Sequence, residues 1–390
     1  MLRFIKPLYG GFILLACLGA TSSCSHWSGE VLESQYQYPI VPDPVYSFQR
    51  EGASSVDTQL SQRVASASSV LYSRFLRLSY LYSERSWTEL VSLFDQGGNN
   101  QIALRPLLVT SSVRQGERAR YLSDFTKILE QAREAAGYEN GMYSTTRYHR
   151  SASAGVTGFV GFGQGDDDRV FVTGLGLAPG EQYRGMLLGA IHLDRLLWVD
   201  LEEEMLRDST LIKAHENLVL LAGHNYTELE HRWDEAYGFY TELEREVQST
   251  TLSDLPGIGT RIHDAFALGR RAITEYRYQE ALAHLKTIRQ LVSQVVARRA
   301  IEELYGRNTQ ANLEEAPRQA FRFISRGVGF VYALQFTRRS SGAPYLTQAE
   351  VTSLLAPLMQ GEGLWSTDLS QKLKTLTSHL QQVFDLPHTK

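Results

Sequence analysis

The sequence predicts an all-α protein of two packed helical bundles, with a glycine-rich irregular insertion in the first half. Three observations point there. Apolar residues recur at steps of three and four through most of the chain after Val56. Alternating strand patterns are nearly absent. Glycines crowd residues 137–180, from Gly141 to Gly180, and no long helical pattern survives there. A chain of 390 residues has room for roughly two domains. Apolar residues at 43% are enough for a packed core. A balance of 39 basic and 43 acidic residues gives no electrostatic footprint for nucleic acid. Two cysteines exclude a disulfide framework or a cysteine-rich zinc module.

Residues 1–24 read as an export segment. Arg3 and Lys6 precede an apolar run from Leu8 to Leu18, too short for the roughly 20 residues of a bilayer span. Leu14-Leu15-Ala16 before Cys17 resembles a bacterial lipobox. Cys24 follows the small residues Thr21-Ser22-Ser23 but lacks the apolar one. Lipidation at Cys17 (or Cys24) would hold the chain at a membrane surface in the cell envelope. Residues 25–44, with Pro39, Pro42 and Pro44, read as a tether.

An N-terminal bundle is expected over 45–250. Val56 to Glu84 reads as a long helix, because Leu60, Val64, Ala67, Leu71, Phe75 and Leu78 share a face and Asp57 can cap its start. Trp87–Phe94 and Val113–Ala136 follow, the latter stopped by Gly137. Inside the glycine-rich loop 137–180, short strands are expected near Val156–Phe162 and Val170–Val172. Gly158–Gly165 lacks the Lys-Ser/Thr of a phosphate loop, and Asp166-Asp167-Asp168 lacks calcium-loop spacing. Pro179 and Glu181 suit a helix start, with a run to about Arg207 and another from Thr210 to Val247. The C-terminal bundle, 251–390, is expected as Arg261–Tyr278, Tyr278–Tyr305, Leu313–Phe336, Thr347–Met359 and Thr367–Phe384.

The stretch from Leu221 to Tyr240 carries the most chemistry. On one helix, His224, Glu228, His231 and Glu235 would fall within an arc of about 60° at 100° per residue. Asp234 flanks that stripe. Imidazoles and carboxylates at such spacing can bind a metal such as iron or zinc, and Glu228-x-x-His231 is half of a di-iron bundle pattern. The same spacing also makes ordinary i,i+4 pairs on a wet helix face. His192 or Asp194 on the preceding helix could complete a site. His215-Glu216 lacks the second histidine of a zinc protease, since Val219 stands in its place. No G-x-S-x-G is present, so hydrolysis is the least supported activity.

Glu230-His231-Arg232-Trp233-Asp234-Glu235-Ala236-Tyr237-Gly238 resembles the E-H-x-W-D-E-A-x-G signature of an uncharacterised domain-of-unknown-function family (DUF4856). Its members are exported bacterial lipoproteins related to the imelysin group. Arg184-Gly185-Met186-Leu187-Leu188-Gly189-Ala190 is similar to the family's K-G-x-x-G-A helix, with one residue more between the glycines. Tyr46-Ser47-Phe48 resembles its opening and Leu346-Thr347-Gln348-Ala349-Glu350 its close. The resemblance implies an all-α fold and an outer-membrane location. Imelysin relatives are associated with iron or haem. Their G-x-H-x-x-E hallmark is altered here, since Gly223 and His224 are adjacent and Glu228 lies four residues on. Two readings follow. One is a non-enzymatic lipoprotein binding a metal ion or iron complex through His224, Glu228, His231, Asp234 and Glu235. The other is an accessory protein acting through envelope partners, with a purely structural stripe.

Overall fold

The computed structural model describes residues 45–78, 84–98, 100–135, 151–161, 170–247, 255–315 and 317–387. Cys17, Cys24, the tether and Asp166–Asp168 lie outside them. Two short antiparallel pairs are the strands seen: β1 (Gln49–Arg50) with β2 (Ala53–Ser54), and β3 (Gly158–Val160) with β4 (Val170–Val172). In the second, Phe159 stands opposite Phe171, where the sequence expects strands. Most of the other described residues are helical, as their period predicts.

Helix α1 (Gln59–Leu78) buries Val64, Ala67, Leu71 and Phe75, the expected face. The Asp57 carboxylate accepts the Gln59 N–H at 3.0 Å and so caps it. Helix α2 (Glu84–Gln96) is longer than its apolar pattern and ends at Gly97, whose φ of 73° suits a helix stop. The third expected helix begins as a 3-10 segment, Ser112–Glu117, before α3 (Arg118–Ala135).

Helix α4 (Pro179–Leu187) starts at Pro179 as expected, but the run to Arg207 does not stay α-helical. The chain widens into π-helical turns at Leu188–Leu193 and Arg195–Asp200, then tightens to a 3-10 turn at Glu203–Leu206. The run from Thr210 to Val247 is likewise divided. Helix α5 (Ser209–Glu216) is capped by Asp208, and α6 (Glu228–Val247) begins after a loop. Leu218 at φ 51° and Gly223 at φ 80° turn the backbone between them.

Helices α7 (Ile258–Thr274) and α8 (Tyr278–Tyr305) match their patterns. The Leu313–Phe336 run is α9 (Arg307–Glu315) and α10 (Pro317–Ala333), separated by a proline start. Helices α11 (Gln348–Met359) and α12 (Leu369–Val383) finish the chain, α11 behind a Thr347–Glu350 capping box.

Asp43–Lys390 forms one compact unit. Its core is continuous across the expected 250/251 boundary. Phe125 and Tyr183 from the first half join Phe266 and Phe330 from the second. Helix α4 crosses α10 within the Arg184–Ala190 stretch. A Cβ on Gly185 would lie 2.4 Å from the Gly329 carbonyl carbon, and one on Gly329 would lie 2.3 Å from the Gln182 oxygen. Glycines on both helices let the backbones touch. Among the described residues no helix is long and apolar enough to cross a membrane.

Candidate functional site

The polar stripe is built from the start of α6 upward. Thr227 and Glu230 close a reciprocal box: the Glu230 carboxylate accepts the Thr227 N–H at 2.8 Å, and the Thr227 hydroxyl accepts the Glu230 N–H at 3.4 Å. The helix therefore begins here, and His224 falls in the loop before it. That removes His224 from the expected helical face. Its exposed ring stacks instead on Tyr226 at 4.6 Å, and Tyr226 stacks on His231 at 5.2 Å.

Glu230 and Asp234 point away from that stack into a buried charge network. Arg50 donates to both Glu230 oxygens, at 2.6 and 2.8 Å, and to the Asn225 carbonyl at 2.7 Å. Arg270 on α7 is fully buried and bridges the two acids, with Nε to Asp234 at 3.0 Å and Nη1 to Glu230 at 3.3 Å. Its third nitrogen reaches Ser55 at 3.3 Å, and the Phe48 ring lies 4.8 Å from its guanidinium carbon. Tyr46 donates to Asp234 at 2.5 Å and stacks on Tyr237 at 3.6 Å. Burial raises the Glu230 carboxyl, but the bonds from Arg50 and the charge of Arg270 outweigh it and hold the group at about 2. Asp234 is buried more completely, and desolvation pushes it up to about 7 against Arg270 and Tyr46.

Glu235 faces the other way, toward the π-helical turns. Arg195 donates to it at 2.6 Å and pairs with the buried Asp200 at 2.9 Å. Glu228, half exposed, accepts from Arg232 one turn on at 2.8 Å. His231 stands between Asp57 and Glu235, with its ring nitrogens 3.9 and 3.7 Å from their oxygens. Asp194 is occupied by the Ser111 N–H and hydroxyl at 2.9 and 2.5 Å, and the His192 ring meets Phe239 edge-on at 5.5 Å, so neither completes the stripe. Among the described residues no three His, Cys, Asp or Glu side chains are grouped to hold a metal ion.

The remaining motif residues are structural contacts. The Trp233 indole donates to the Phe266 carbonyl at 3.0 Å, and a Cβ on Gly269 would lie 2.1 Å from the Trp233 ring. A Cβ on Gly238 would lie 2.6 Å from the Ser61 hydroxyl of α1. The arginines that complete the network, Arg50, Arg195 and Arg270, are absent from the sequence reading because each is remote in the chain. One local signal was available. Thr227-x-x-Glu230 marks a helix start and takes Glu230 as a cap partner.

Fold and site together define an all-α domain whose central helix is fixed by buried arginine–carboxylate pairs. The chain belongs to the family described as domain of unknown function (DUF4856), whose model matches residues 43–386. No curated protein and no solved structure matches it.

Proposed function

We propose that this chain is an exported cell-envelope lipoprotein, and that its helical domain is a non-enzymatic accessory module acting through envelope partners. Arg3, Lys6, the apolar run to Leu18 and the Leu14-Leu15-Ala16-Cys17 pattern support the anchoring. One observation carries the structural reading of the stripe: its carboxylates are already held by guanidiniums. Glu230 has Arg50 and Arg270, Asp234 has Arg270, Glu235 has Arg195 and Glu228 has Arg232. A metal ion would have to displace these pairs and strand buried arginine charge. The motif then locks the opening segment onto α6 and α7. The metal reading retains one observation, the approach of His231 to both Asp57 and Glu235.

The test has two arms. Cells expressing the full chain are labelled with a fatty acid, beside Cys17→Ala and Cys24→Ala variants. Label in the membrane fraction, lost in one variant, is expected; a soluble, unlabelled product would sink the lipoprotein reading. Iron and zinc are then measured by elemental mass spectrometry in wild type and a His231→Ala/Glu235→Ala variant. The structural reading expects no stoichiometric metal and a less stable variant. Stoichiometric metal lost in the variant would overturn it in favour of a metal centre.

A further inference from the structure

Most of the large apolar side chains that are exposed among the described residues gather where α6 begins and α7 ends. Leu218, Val219 and Leu220, in the loop between α5 and α6, are 49, 59 and 40% exposed. Tyr276, in the turn between α7 and α8, is 45% exposed. Single exposed apolar residues are ordinary, but three in succession are costly unless they serve a contact. The loop is also free of charge: Asn217 to Thr227 contains no Asp, Glu, Lys or Arg.

Buried His215 ties this loop to the end of α7. One ring nitrogen lies 2.8 Å from the Thr227 hydroxyl and the other 2.9 Å from the Ile273 carbonyl. The Leu218 N–H donates to the His215 carbonyl at 2.9 Å, and the Val219 N–H to that of Ala214 at 2.8 Å. Leu220 bridges to Thr227, and the Tyr276 ring stands 5.3 Å from the His215 ring. Leu218 and Tyr276 turn the chain at φ 51° and 60°. That conformation is costly for a bulky residue and persists only where its surroundings fix it.

The opening segment of the domain runs beside the same loop. The Asn225 carbonyl accepts from Arg50 at 2.7 Å, and its side-chain amide donates to the Arg50 and Ala53 carbonyls at 3.3 and 3.2 Å. Tyr46, next to the exposed Val45, stacks on Tyr237, and α6 rises about 14 Å from Glu228 to Tyr237. Covalent geometry alone keeps Val45 within about 100 Å of Cys17. At such range a contact too weak to hold a free protein acts as an intramolecular one.

We propose that Leu218, Val219, Leu220 and Tyr276 form a lipid-contacting tip, which seats the domain on the bilayer that holds its N-terminal anchor. This rests on the lipoprotein reading above. A convex, charge-free tip offers a protein partner no charge to pair, whereas a bilayer interface asks only for apolar area. The three aliphatic side chains enter the acyl boundary, and the Tyr276 ring takes the headgroup level, where aromatic rings with a polar end are favoured.

The test holds the full chain on vesicles without its own lipid. A Cys17→Ala/Cys24→Ala chain with an N-terminal hexahistidine tag is bound to vesicles of phosphatidylethanolamine and phosphatidylglycerol that contain a nickel-chelating lipid. A nitrobenzoxadiazole probe is placed on Val219→Cys or, as a control, on Glu314→Cys. Glu314 is exposed on α9, beyond the far end of α8, which is about 40 Å long. The Val219 probe should shift to the blue and be quenched by spin-labelled lipid, and the Glu314 probe should do neither. Leu218→Asp/Leu220→Asp should abolish both effects at Val219. Thermal unfolding checks that variant; if it does not fold, the comparison of the two probes still decides. Equal quenching at both positions, or none at Val219, would overturn the proposal. So would a blue shift that grows with protein concentration in the absence of vesicles, which would put a second copy on the tip. Because the tag replaces the lipid, these outcomes are separate from the fatty-acid labelling that tests the anchor.

Discussion

Arg50 grips Glu230 through a two-bond fork, Nη1 to Oε2 at 2.8 Å and Nη2 to Oε1 at 2.6 Å. The pair joins residues 180 positions apart. It ties the opening strand to the first turn of α6, where Glu230 also caps the helix and meets Arg270. One carboxylate thus satisfies a helix end and two guanidiniums.

Breaking this fork should cost more than an exposed ion pair. Arg50→Ala leaves Glu230 buried beside Arg270 alone, and a loss of about 2–4 kcal/mol is expected. Urea unfolding measures it. A double-mutant cycle with Glu230→Gln should give a coupling above about 1 kcal/mol. Additive effects would show that the fork contributes nothing beyond packing.

The same acid makes a leg in the stability–pH curve. Glu230 titrates near 2 in the folded chain, against an ordinary value of 4.5. Between these values the unfolded state binds the proton and the native state does not. The contribution is therefore complete above pH 4.5 and lost as pH falls toward 2, by about 2 kcal/mol. Glu230→Gln should flatten that leg when unfolding is followed by circular dichroism at each pH. An unchanged slope would place the acid sensitivity elsewhere.

His192 makes a second leg at higher pH. Burial holds its ring near 4 in the folded chain, while the unfolded ring titrates near 6.5. As pH falls from 6.5 to 4 the unfolded state takes up a proton that the native state refuses, so stability falls, by up to about 3 kcal/mol. His284, also held near 4 by burial and by Arg277, adds a similar leg. Wild type should thus lose more stability than His192→Asn across this window in chemical denaturation. Equal losses would mean that the ring does not titrate as its burial requires.

Gly269 leaves the space that Trp233 fills. Gly269→Ala places a carbon 2.1 Å from the indole and should cost about 1–3 kcal/mol or more, although alanine is the better helix former. Trp233→Leu opens that space, so adding Gly269→Ala to it should cost far less than in wild type. Thermal melts of the two singles and the double test this; full additivity would mean that the two positions do not compete.

Helix period and capping residues are local properties, which is why most helices and the short β3–β4 pair were legible along the chain. Val64, Ala67, Leu71 and Phe75 face the core as their spacing requires. The errors came where local and distant preferences compete. The run from Thr210 to Val247 has helical composition throughout, yet Asp208 and Thr227 each start a separate helix. Once α6 begins at Glu228, the wheel that placed His224 beside Glu228 no longer applies.

Residue spacing alone was enough to establish an all-α chain and to single out the motif around His231. It could not assign partners to those acids. A carboxylate on a helix can meet a metal, water or an arginine with the same local pattern, and the choice depends on what packs opposite. Here Arg50, Arg195 and Arg270 arrive from segments about 35 to 180 residues away; α6 packs against α7, which carries Arg270, and against the π-helical turn that carries Arg195. Buried charge is stable only with its partner in place. The role of the stripe is therefore a property of the folded core.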